Sequence, residues 1–99
     1  MYLVVFRNRK HAGLDSAAYS RAADAMEILA KAQPGYRSFK SFTADDGEVV
    51  AISEWDSEEA ARAWGRNADH GAVQAKGRSD WYAEYVLLGG DMTRIHHFP

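Results

Sequence analysis

The sequence has no cysteine, which excludes a disulfide framework, a thiolate metal site and a cysteine nucleophile, and suits a reducing compartment. It also has no apolar run long enough to span a bilayer. The segment YLVVF behind Met1 is too short for a secretory core with its cleavage site, so a cytoplasmic protein with no membrane partner is expected. A basic excess is missing as well. Lys and Arg number 12 against 14 Asp and Glu, the net charge is -2 and the pI is about 6.0. The cations are scattered rather than blocked, so no field is available to hold nucleic acid.

What is present is apolar and aromatic. At 99 residues the chain is read as one domain, and a chain of this size buries only about 65% of its unfolded surface, so a partner subunit would add needed burial. Tyr2 to Phe6 is apolar on both parities and reads as a central strand. Asp15 can cap a helix whose apolar positions Tyr19, Ala22, Ala23, Met26, Leu29 and Ala30 recur at helical spacing, with Pro34-Gly35 as its stop. Residues 36–43 and 48–55 alternate as strands around the turn signal Asp45-Asp46-Gly47. Asp56 with Glu59 looks like a capping box ahead of a helix through Trp64, interrupted near Gly65-Arg66-Asn67 and resumed over 68–76. Residues 81–88 form a last strand, followed by Gly89-Gly90 and a tail over 91–99 that could add a short strand at a dimer interface.

The order β-α-β-β-α-β predicts an α+β, ferredoxin-like fold with a four-stranded antiparallel sheet. Two helices cover one face of such a sheet. Leu3 and Val5, Val49 to Ile52 and Tyr85 to Leu88 are apolar on both parities, so the second face needs cover from outside the chain, and a second copy placed sheet to sheet is the economical source.

The segment WDSEEAARAW, the His within NADHGAVQAKGR and the closing WYAEY resemble the antibiotic biosynthesis monooxygenase domain of the dimeric α+β barrel superfamily. The resemblance covers nearly the whole chain and implies this fold and a homodimer. For the reaction it implies less, because the superfamily carries several chemistries. The branch that oxygenates anthrone-like polyketides without cofactor has Asn-x3-Trp-x5-Tyr at the strand-helix junction. Here those places hold Ala51, Trp55 and Ala61. The haem-degrading branch is matched by Asn8 and Trp64, but Gln74 stands where its axial His would be.

The stretch from Trp55 to Tyr85 suggests a pocket for a flat organic molecule. Trp55, Trp64, Trp81 and Tyr85 could wall it, or could be ordinary core. His70 has a side chain suited to accepting a proton at neutral pH, or could be a helix-end His bonding a carbonyl. Arg78 could steady a phenolate or enolate, or pair with Asp80 or Glu84. Asn8, at the end of the first strand, could help hold that oxyanion or form a turn with Arg9. Glu58-Glu59 fits a helix start favoured by the dipole rather than a catalytic pair. His96 and His97 would point to opposite faces of a strand and have no third ligand, so no metal is expected. Taken with these residues, the resemblance implies a cofactor-independent monooxygenase acting on an electron-rich aromatic, quinol or polyketide-like substrate. In it His70, Arg78 and Asn8 are catalytic, and Trp64, Trp81, Tyr85 and Trp55 bind substrate. The alternatives are a non-catalytic module that binds a small aromatic or serves a stress response, and, third, a haem-binding protein.

Overall fold

The computed structural model describes residues 1–67, 71, 75–76 and 80–99. Among them the elements run β1 (Tyr2–Lys10), α1 (Ser16–Lys31), β2 (Tyr36–Thr43), β3 (Val49–Trp55), α2 (Glu58–Gly65) and β4 (Tyr82–Asp91). The strands form one antiparallel sheet in the order β2-β3-β1-β4. This is the expected ferredoxin-like α+β architecture, with the apolar β1 in the interior of the sheet.

Local chemistry fixes the connections. Asp15 caps α1 by accepting from the Ala18 amide at 3.0 Å, as the sequence indicates. The cap of α2 is Ser57 rather than Asp56: its hydroxyl accepts from the Ala60 amide at 3.2 Å. Asp56 is engaged elsewhere, its amide donating to the Gly35 carbonyl and its carboxylate bound by Arg37 at 2.6 Å. The hairpin turn closes through the Asp46 carboxylate, which accepts from the Glu48 amide at 3.0 Å, and through Gly47 at a φ of +91°.

The register assigns the faces. Trp55 lies opposite Tyr2 and Tyr36, and its indole meets Trp64 of α2, so this parity faces the helices. Tyr2, Val4, Phe6, Asn8 and Lys10 share that face with Val49, Ala51, Ser53, Tyr85, Leu87 and Gly89. The other face carries Leu3, Val5, Val50, Ile52, Val86 and Leu88, bordered by the Arg7–Glu48 and Arg9–Asp46 ion pairs. No helix packs on it among the described residues. Residues 92–99 are in no strand within the single chain. No helix of the described residues is long and apolar enough to cross a membrane.

Two register slips re-aim side chains. Between β1 and β4, Arg9 is opposite Glu84 but Lys10 is opposite Tyr82, which leaves Ala83 extra. The slip puts Tyr82 and Tyr85, three apart in sequence, on one face of one strand, the local effect a bulge produces. Between β2 and β3, Arg37 is the extra residue. Tyr36 therefore meets Trp55, while Ser38 turns to the opposite face and hydrogen-bonds Glu54.

Candidate functional site

The helix-side face holds two aromatic groups at opposite ends of β1. At the first, Trp55 is 1% exposed, donates from its indole to Ser53 Oγ at 3.0 Å, and stacks on Trp64 with centroids 6.4 Å apart and planes 24° from parallel. Tyr36 closes this group edge-on at 5.7 Å. A surface cleft of about 330 Å³ beside it is bounded by Pro34, Gly35, Asp56, Ser57, Ala63 and Trp64, among others.

The second group is denser and more polar. Phe6 meets Tyr82 at 5.3 Å and Tyr85 at 5.4 Å. Tyr19, projected from the first turns of α1, meets Trp81 edge-on at 5.3 Å and Tyr82 at 6.4 Å. These offset and edge-to-face arrangements suit the ring quadrupoles and add to what area burial supplies. Into this wall β1 projects an amide and an ammonium. Asn8 is 3% exposed, and its Oδ1 accepts from Lys10 Nζ at 2.7 Å. The same Nζ lies 4.8 Å from the Tyr19 ring centre and 5.7 Å from that of Tyr82. An ammonium can only donate, so the contact fixes the rotamer of the Asn8 amide with its oxygen towards Lys10. Burial, then the neighbouring Tyr19 hydroxyl, pushes the Tyr82 phenol well above its ordinary pKa, so it keeps its proton under neutral conditions.

The residues singled out from the sequence thus divide. Asn8, Trp81 and Tyr85 come together at the second group, where Tyr85 pairs with Asn8 across the ladder. Trp55 and Trp64 stand at the first, six residues away along β1 from Tyr2 to Asn8, or about 20 Å at the usual strand rise. Small residues, Ala51, Ser53 and Gly89, occupy the helix-side floor between them. His70, Arg78 and Gln74 lie outside the described residues. The carboxylates considered as partners for Arg78 have other contacts: Asp80 binds Lys76 at 2.6 Å and Glu84 pairs with Arg9 at 3.5 Å. His96 and His97 are exposed, and no cluster of metal-ligating side chains occurs among the described residues. Sequence reasoning missed Lys10, Tyr19 and Tyr82 as a group. The available signal was the spacing Phe6-x-Asn8-x-Lys10, which places all three on one strand face.

The sequence profile of the antibiotic biosynthesis monooxygenase family matches residues 1–76, and the chain belongs to that family. It is 35% identical over 97 residues to the uncharacterized protein YqjZ of Bacillus subtilis (strain 168), covering 98% of this chain and 83% of that one. Among solved structures, Rv0793 from Mycobacterium tuberculosis superposes with a TM-score of 0.82 at 18% identity, over 97% of this chain and 98% of that one. SnoaB, a cofactor-independent oxygenase from Streptomyces nogalater, gives 0.72 at 18% identity, over 93% and 94% of the two chains. At such identities the structural likeness establishes the shared fold.

Proposed function

We propose that the protein is a homodimeric, cofactor-independent monooxygenase of an electron-rich aromatic, quinol or polyketide-like substrate. The observation that carries this reading is the second aromatic group, in which Phe6, Tyr19, Trp81, Tyr82 and Tyr85 pack ring against ring on the sheet face that also carries the buried Asn8, the ladder partner of Tyr85. Such a wall suits a flat ring system, and membership of the monooxygenase family together with the fold shared with SnoaB makes oxygenation the favoured chemistry. The uncovered apolar sheet face supports the dimer.

For an anthrone-type substrate the reaction is ring CH2 plus dioxygen giving ring C=O plus water. His70 takes the proton that ionises the substrate to its enolate, and Arg78 and Asn8 steady the oxyanion. The enolate passes an electron to dioxygen, and the radical pair closes a carbon–oxygen bond. The resulting peroxide is protonated. Loss of the second ring C–H proton then breaks the O–O bond, leaving the carbonyl and releasing water. The substrate supplies all the electrons, and the protein orients the ring and excludes solvent.

An oxygen electrode with anthrones and hydroquinones tests the reading. Uptake of oxygen by the wild type, and a fall of roughly 10²–10⁴ in turnover in His70→Gln with the dimer intact, is the expected result. Ligand binding without oxygen uptake would make the protein an aromatic-binding module instead. Unchanged turnover in His70→Gln would assign that His to the scaffold.

A further inference from the structure

The cations at the end of β1 differ in how they are neutralised. Arg7 and Arg9 point to the helix-free face, and each has a carboxylate: Glu48 at 3.1 Å for Arg7, Asp46 at 2.8 Å for Arg9. Lys10 points to the helix side, is half-buried, and among the described residues has no carboxylate within 4.0 Å. The charged and polar groups facing it from the described elements are Asn8 of β1, Tyr19 of α1 and Tyr82 of β4. An amide oxygen and two π faces hold an ammonium in place without cancelling its charge. A partly desolvated charge lacking a counter-charge favours an anion beside it more strongly than a surface charge does.

Building on the aromatic-oxygenase reading, we propose that Lys10 binds the ionised oxygen of a phenol or enol ligand whose ring system lies against Tyr19, Tyr82 and Tyr85. Asn8 then has a positioning role beside the oxyanion role proposed above: its side-chain oxygen is bound to Lys10 and aims Nζ at the ligand. The ammonium sets the ligand class. An acidic aromatic is held as its anion, and its O-methylated counterpart, which cannot ionise, is discriminated against. In the oxygenase reaction this charge favours the enolate, the form that reduces dioxygen, so Lys10 lowers the barrier to the proton transfer that begins the sequence.

The probe is 1,2-dihydroxyanthraquinone, whose visible absorption reports its own ionisation, titrated with pH when bound to the intact protein. The wild type should lower the pKa of the bound dye by about one unit, a tenfold shift of its ionisation equilibrium. Lys10→Met should abolish the shift and Lys10→Arg should retain most of it, while Asn8→Ala should reduce it with the lysine still present. A folded Lys10→Met that leaves the dye pKa unchanged overturns the proposal. So does a wild type that fails to bind the dye. Should Lys10→Met not fold, the wild type alone decides, since equal or tighter binding of the di-O-methyl ether, which cannot ionise, above the pKa of the free dye is incompatible with a captured anion. The oxygen electrode reports separately: a lowered dye pKa without oxygen uptake retains the Lys10 site and removes the oxygenase reading, and uptake with an unshifted dye does the reverse.

Discussion

Tyr82 shows how a single residue ties the chemistry of the site to the stability of the fold. Its ring lies between Phe6, Tyr19 and Tyr85, and burial first, then Tyr19, raises its pKa far above the ordinary phenol range. The folded state therefore holds the phenolic proton more tightly than the unfolded chain, whose tyrosines ionise near 10. The resulting stability is fully present below that pH. It is lost as the pH climbs from about 10 towards the folded value, because the unfolded state gains by ionising first. Tyr82→Phe removes this linkage. Thermal melts from pH 8 to 11 should show the wild type losing stability more steeply than Tyr82→Phe above pH 10, with parallel behaviour at pH 8. Comparing the two proteins cancels the other tyrosines and lysines, which titrate in the same range. Parallel melts throughout would mean that the Tyr82 phenol is solvated. Tyr82 and Lys10 were not legible as a pair in the sequence, because their meeting depends on the slip that leaves Ala83 unpaired, and such a slip is set by packing across strands rather than by either strand's own pattern.

At the scale of elements, the alternation of apolar residues, the Asp15 cap and the Asp46-Gly47 turn were enough to order the strands and helices, since each is a local signal. The docking of α2 was less legible. Asp56 has the spacing of a cap, yet Arg37 occupies its carboxylate and the task falls to Ser57. That exchange reflects a non-local contact, the approach of α2 to the turn before β2. Gly35 makes the approach possible. It has a φ of +82°, and a Cβ built on it would lie 2.6 Å from Ala60 Cβ and 3.6 Å from Asp56 Cβ. Gly35→Ala should therefore combine left-handed backbone strain with a collision against α2. The expected loss is at least roughly 1–3 kcal/mol in urea unfolding. Gly13→Ala is the control: it shares the positive φ, at +81°, but meets nothing within 4 Å, so it should show the strain alone. Equal losses in the two variants would mean that α2 gives way at no cost.

At the scale of the whole molecule, the described residues cover one face of the sheet and leave the other bare. Ile52, Val5 and Leu88 stand side by side across β3, β1 and β4 on the bare face, with Val50 and Val86 flanking Arg7 in the next row. Val49, by contrast, faces the helices. Beside the stripe, Leu3, Val5, Leu88, Gly90 and Met92 bound a hollow of about 170 Å³, able to take a side chain from outside. A monomer would leave this patch in water at a cost near 25 cal/mol per Å² of apolar surface, and a second sheet laid against it would recover that energy. The homodimer proposed above thus places its interface on the face opposite Asn8 and Lys10, so that pairing leaves both aromatic groups on the helix side. Leu88 offers a clean probe because it is 49% exposed in the single chain. Leu88→Lys should perturb an isolated monomer by no more than about 0.5 kcal/mol, the usual range for surface substitutions. In a dimer it buries a charge against Val5 and the partner's sheet. Light scattering should then find the wild type at twice the chain mass at micromolar concentration and the variant shifted towards 11.0 kDa. Its melting temperature should fall and become dependent on protein concentration, because association and folding are linked. A wild type that scatters as a single chain at every concentration, or a Leu88→Lys protein that keeps the wild-type mass and melting point, would place the interface elsewhere or remove it.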